Sequence, residues 1–152
     1  MTVIFNGKKL ADEKEQILQE QVKKLVGKLG FAPKLLAILV GDDPASQIYL
    51  RLKGEAARRV GVDFEKKEFP ENVDPQEVIL EIERANRDDR VWGIMVQLPL
   101  PKESGIRNQE LGILGTIAPE KDIDCLTPHN LGLLVMGQPK FLPATVRAVL
   151  TI

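Results

Sequence analysis

Apolar residues recur on a helical period between residues 10 and 29, where Leu10, Ile17, Leu18, Val22, Leu25 and Val26 share one face and charged residues fill the other. This predicts an amphipathic helix that stops at Gly30. The pattern then changes. Residues 35–40, LLAILV, are continuously apolar and stand between Pro33 and Gly41, which predicts a strand covered on both faces. Asp43 suits an N-cap and Pro44 a first helical position, so a second helix is expected from there to about Val60, with Gly61 as its stop. Val62 to Phe69 alternates as a second strand, and a third helix starts between Asn72 and Pro75 and runs to about Asn86. VWGIMV at 91–96 repeats the buried-strand signature, and Leu-Pro-Leu-Pro at 98–101 ends it, because proline cannot continue a central strand. Beyond lie a helical stretch at about 107–117, strand and loop over 119–128, a short helix at 130–136 and a helix opening at Pro143. Strands alternating with helices predict an α/β fold: a three-layer domain with a mostly parallel sheet flanked by helices.

Composition narrows the function. The chain has 152 residues, the size of one domain, and its 21 Lys and Arg against 22 Asp and Glu give a net charge of -1. There is no basic surplus for nucleic acid or an anionic membrane. No apolar run approaches the roughly 18 residues of a membrane span, and the first residues lack the order of a signal peptide, so the expected location is the cytoplasm. Cys125 is the only cysteine and His129 the only histidine, which excludes an internal disulfide, a cysteine zinc site and a multi-histidine metal site. No metal is assigned. Neither GxGxxG nor GxxxxGK[ST] occurs, so no cofactor-binding phosphate loop is expected in this chain. Any catalysis falls mainly to Lys, Asp, Glu, Tyr and backbone.

Four positions stand out. Lys53 has Tyr49, Leu50, Ala56 and Ala57 one helical turn away, so it sits in or beside the inward stripe. It either snorkels to water or is a partly desolvated lysine tuned for proton transfer. Tyr49, the only tyrosine, lies one turn earlier and can stack on a flat ligand. Gln97 follows the second buried strand, at the sheet edge where parallel α/β folds bind ligands. Asp122-Ile123-Asp124 alternates like a strand, which predicts both carboxylates on one face and Ile123 on the other. Surface solvation, a pairing with Lys121, or capture of N–H donors are the readings open for these acids.

Three segments together carry a resemblance: VGDDPASQIYLRLK (40–53), GIMVQLPLP (93–101) and PEKDIDCLTPHNLGLLVMGQPKFLPAT (119–145). In order and spacing they resemble the catalytic domain of bifunctional methylenetetrahydrofolate dehydrogenase/cyclohydrolase. The resemblance implies a two-domain enzyme of one-carbon metabolism that oxidises 5,10-methylenetetrahydrofolate to the methenyl form and hydrolyses this to 10-formyltetrahydrofolate. By the same resemblance, Lys53 is the catalytic lysine, Gln97 positions it, Tyr49 stacks on the folate and Asp124 holds the pterin edge. Ser46 joins the substrate site, and Leu98, Pro99 and Pro101 form part of its wall. Residues 1–143 are then the folate domain and 144–152 the start of an interdomain helix. NADP or NAD belongs to a second, Rossmann domain absent from these residues, and the full protein is expected to be a homodimer. A folate-binding or interaction module without catalysis is the alternative. Two positions depart from the family pattern: Cys125 stands where glycine is usual, and Val146 where the family has proline.

Overall fold

A computed structural model describes residues 6–101 and 105–151. Three parallel strands, β1 (Lys34–Val40), β2 (Asp63–Phe69) and β3 (Val91–Val96), form one sheet in the order β2–β1–β3. The chain thus steps to one side of β1 and then to the other. That reversal makes the carboxyl ends of β1 and β3, where Gly41 and Gln97 follow the two strands, the topological switch point of the sheet. The Gln97 N–H still donates to the Ile38 carbonyl at 2.8 Å, which fixes its place one residue past β3.

Helices cover both faces, as the three-layer expectation requires. On one side, α3 (Pro75–Arg87) and α4 (Glu110–Thr116) bury Val78, Ile82, Ile113 and Leu114 against Leu36, Ile38, Ile94 and Val96. On the other, α2 (Pro44–Val60) packs Leu50 on Ala37, Leu39 and Met95. Gly54 lets α2 come close, since a Cβ there would stand 2.9 Å from the Phe64 ring. The long helix α1 (Gly7–Leu29) lies outside α2. Its Glu15 accepts two bonds from Arg59 at 2.7 and 3.0 Å, and Gln19 donates to the Arg59 carbonyl.

The helix starts follow their caps. Asn6, Asp43, Asp74 and Thr127 each accept a backbone N–H at the start of α1, α2, α3 and α5 (Pro128–Val135). The first helix therefore begins at Gly7, ahead of the apolar period, and the fifth at Pro128 rather than Asn130. Gly30 and Gly61 close α1 and α2 in the left-handed region. The helix expected from Pro143 is α6 (Ala144–Val149); Ile152 lies outside the described residues.

The strand expected within 119–128 does not form. A single parallel bridge joins Ile94 and Asp122, and the rest is loop. The reason is local: the Asp122 carboxylate draws in the N–H groups of Leu126 and Thr127, and a backbone turned back on its own side chain cannot continue a ladder.

Candidate functional site

A groove of about 450 Å³ lies between α1, α2 and the 119–130 loop. Lys53, Ala56 and Ala57 line it from α2, Met95 from β3, Ile123 and Asp124 from the loop, and Ala11 and Leu18 from α1. Its wall is mainly apolar, with Lys53 and Asp124 both on it. The Lys53 Nζ lies 3.9 Å from the Met95 sulfur, a weak acceptor. Lys53 itself is exposed, and Tyr49, one turn earlier on α2, is 61% exposed. The snorkelling geometry is the one adopted here.

The loop that presents Asp124 is pinned on both sides of it. Lys121 Nζ donates to the carbonyls of Ala85, Asn86 and Asp88 at 2.8–3.0 Å and so places a cation at the C-terminal end of α3. The Lys121 carbonyl accepts from the Ile94 N–H at 2.7 Å. Asp122 is 1% exposed and accepts from Leu126 N–H at 3.1 Å, Thr127 N–H at 2.9 Å and Asn130 Nδ2 at 2.9 Å. Burial opposes its ionisation, but the donors from Thr127, Asn130 and Leu126 outweigh that and hold its carboxyl below the ordinary value. Cys125, fully buried, takes φ 57°, a conformation that favours glycine. Burial and the Asp122 charge push its thiol up.

These facts correct the expectation for the two acids. They do not share a face: Asp122 turns inward to the loop's own N–H groups, while Ile123 and Asp124 both reach the groove. Neither acid pairs with Lys121, whose ammonium is spent on carbonyls.

The other predicted residues divide. Gln97 falls on the Met95 side of β3 by strand alternation, and its Nε2 bonds the Leu98 carbonyl. Its Oε1 is buried with no partner, an acceptor left unmet. Leu98 alternates to the opposite side and packs on the α3–α4 core, so it is no wall of the groove. Pro99, joined to Leu98 by a cis peptide, is exposed. Pro101 packs near Gly41, where a Cβ would meet its Cγ at 3.2 Å. Ser46 is buried, and its N–H donates to Asp43 Oδ2 at 2.7 Å, so it serves the start of α2 and does not line the groove. Met95, Ile123 and the α1 residues escaped the sequence reading. Met95 was within reach of it, since two residues before Gln97 on a strand means the same face.

Known proteins place this geometry. The model of the family described as tetrahydrofolate dehydrogenase/cyclohydrolase, catalytic domain, matches residues 5–124. The chain belongs to that family. The bifunctional protein FolD 2 of Lactobacillus johnsonii is 45% identical over 152 residues, covering 100% of this chain and 52% of the relative. The bifunctional protein FolD of Bacillus cytotoxicus is 41% identical over 99% of this chain and 51% of its own length. A crystal structure of the Trypanosoma brucei dehydrogenase-cyclohydrolase, complexed with NADP cofactor and inhibitor, superposes with a TM-score of 0.89 at 35% identity, covering 99% of this chain and 50% of that one. The Campylobacter jejuni FolD structure gives 0.88 at 37%, with 95% and 50% covered. The chain spans about half the length of the curated relatives it matches.

The Trypanosoma brucei structure holds an NADP cofactor, and the starts of α2 and α3, the helices that follow β1 and β2, offer no open cradle for a diphosphate. A helix start that binds a diphosphate offers free N–H groups and positive potential. At α2 the Asp43 carboxylate already occupies the Ser46 N–H, and its carboxyl is held low by that bond. Asp74 does the same at α3. Among the described residues no three His, Cys, Asp or Glu side chains gather as a metal site, and no helix is long and apolar enough to cross a membrane.

Proposed function

We propose that this chain supplies the folate side of an enzyme that oxidises 5,10-methylenetetrahydrofolate and hydrolyses the methenyl product to 10-formyltetrahydrofolate. The observation that carries the reading is an amine and a carboxylate, Lys53 and Asp124, on one apolar-walled groove in a chain of this family. Asp124 accepts N–H bonds from the amino-pyrimidine edge of the pterin. Tyr49, exposed on the same helix, stacks on the flat part of the ligand. In the hydrolysis, water adds to the methenyl carbon and loses one proton to give a hydroxyl adduct. The hydroxyl then loses the second proton as the bond from that carbon to N5 breaks and N5 takes up a proton, leaving the formyl group on N10 and one proton released. We assign those protons to Lys53, the amine on the α2 wall of the groove, with Lys14 and Glu15 of α1 on the opposite wall. The unmet Gln97 Oε1 is suited to accept from the Lys53 ammonium and hold it toward the reacting carbon.

The oxidation step needs NADP or NAD as hydride acceptor, and we assign the residues that bind it to a part of the protein beyond this chain. The full protein is read as a cytoplasmic homodimer.

Calorimetry of this chain with 5-formyltetrahydrofolate, a stable reduced folate, tests the reading. Binding is expected, and Asp124→Ala should weaken it about ten- to a hundred-fold, the worth of a buried bond to a charged group. A chain that ignores the folate, or an Asp124→Ala variant that binds it as well as the parent, overturns the assignment.

A further inference from the structure

We infer that Asp122, which does not reach the groove, is a positioning residue for Asp124. The inference rests on the folate reading above. Asp122 is 1% exposed, and all three of its hydrogen bonds run to the stretch beyond Cys125: Leu126 N–H, Thr127 N–H and Asn130 Nδ2. These bonds fold residues 122–127 into a closed turn with Asp124 near its apex. Asn130 Nδ2 also donates to the Pro119 carbonyl at 2.9 Å, so one amide ties both ends of the loop to the Asp122 carboxylate. The Thr127 Oγ1 accepts from the Asn130 N–H and so anchors the far end of the turn to the first turn of α5.

The residues around Asp122 exclude a rotation of Asp124 without it. Upstream, Lys121 is fixed by three carbonyls of the α3 end and by the Ile94 N–H. Downstream, Cys125 is buried in a left-handed conformation that an L-residue adopts only when its surroundings impose it. The chain direction at Asp124 is therefore set between a docked Lys121 and a constrained Cys125, and Asp122 is the group that joins the two constraints. Its charge is part of the device. A carboxylate accepts all three donors, whereas an amide of the same shape brings a donor of its own against the Thr127 and Asn130 N–H groups.

A double-mutant cycle on this chain tests it, with 5-formyltetrahydrofolate as the probe. Asp122→Asn is nearly isosteric and should weaken binding about tenfold, yet add less than about twofold to the loss already present in Asp124→Ala, because a residue acting through Asp124 has nothing to position once that carboxylate is gone. Asn130→Ala leaves the two backbone donors in place and serves if Asp122→Asn does not fold. It should weaken binding several-fold with the same lack of addition. Losses at Asp122 or Asn130 that add fully to Asp124→Ala show a general loosening and overturn the inference. So does a folded variant with parental affinity. In both cases a normal Asp124→Ala loss leaves the folate reading standing. If Asp124→Ala itself has no effect, both fall together.

Discussion

Ile123 lies against the bare backbone of Gly93: a Cβ built on that glycine would stand 2.8 Å from the Ile123 Cγ2 and 3.1 Å from the Leu35 Cδ1. The contact seats the loop on β3 one residue before Asp124. Gly93→Ala should therefore cost about 1–3 kcal/mol, the usual penalty of overpacking. Ile123→Ala in the same chain should recover part of it by making room. Urea unfolding of the two variants checks both signs, and a Gly93→Ala chain as stable as the parent shows that the seat is loose.

Lys53 is exposed yet stands among Leu50, Ala56 and Ala57 on α2. Lys53→Met keeps an unbranched stem against those neighbours and removes the ammonium. In a protein carrying the complete second half, methenyl hydrolysis should fall about 10²–10⁴-fold, the range of general acid–base catalysis. The melting temperature should hardly move. Hydrolysis within a few-fold of the parent makes the lysine a solvated surface group. Lys53→Arg should also be slow, because a guanidinium does not give up its proton.

Stability should fall in acid partly through Asp122. Its carboxyl is held below the ordinary aspartate value despite burial, so the native state favours the ionised form. A depressed native value adds stability above the unfolded value, about 3.9, and loses it as pH drops through the native one. Asp122→Asn should cost about 1.5–3 kcal/mol near neutrality, the worth of bonds to a charged acceptor. The gap between parent and variant should close progressively below about pH 4 as the parent carboxylate protonates. Melting curves across pH measure it; a gap that is constant or widens in acid contradicts the assignment.

At Cys125 two opposing effects nearly cancel. Glycine relieves a left-handed residue that costs an L-side chain roughly 1–2 kcal/mol, but it gives up a fully buried side chain. Cys125→Gly should stay within about 1 kcal/mol of the parent, since a small buried group is worth a similar amount. Cys125→Val keeps the apolar volume and adds β-branching at positive φ, so it should lose clearly more than Cys125→Gly in the same unfolding experiment.

Regular elements could be read from the chain because each carries its own signal. The period in α1, the proline and aspartate that open α2 and α3, and the unbroken apolar runs of β1 and β3 act within a few residues of themselves. The two acids of Asp122-Ile123-Asp124 resisted that reading. Their alternation is that of a strand, but donors four, five and eight residues away capture the first carboxylate, and nothing in the tripeptide announces them. The place of Leu98 was hidden for the opposite reason. It simply continues the alternation of β3 to the core side, which the proline-rich run around it obscured. Lys53 and Asp124 were recognisable as candidates, but the groove between them depends on α1, which meets α2 through contacts such as Arg59 with Glu15, forty-four residues apart.

The bridge between Ile94 and Asp122 has a second effect, away from ligands. Among the described residues β3 is the last strand on its side of the sheet, and an outer strand with free N–H and carbonyl groups is a template for pairing with another chain. Here the Ile94 N–H is taken by the Lys121 carbonyl, and the loop leaves after one bridge instead of extending a ladder. The segment that displays Asp124 is thereby also a blunt stop on the sheet's growth. Changes that detach it should make the protein prone to aggregate before they make it unfold.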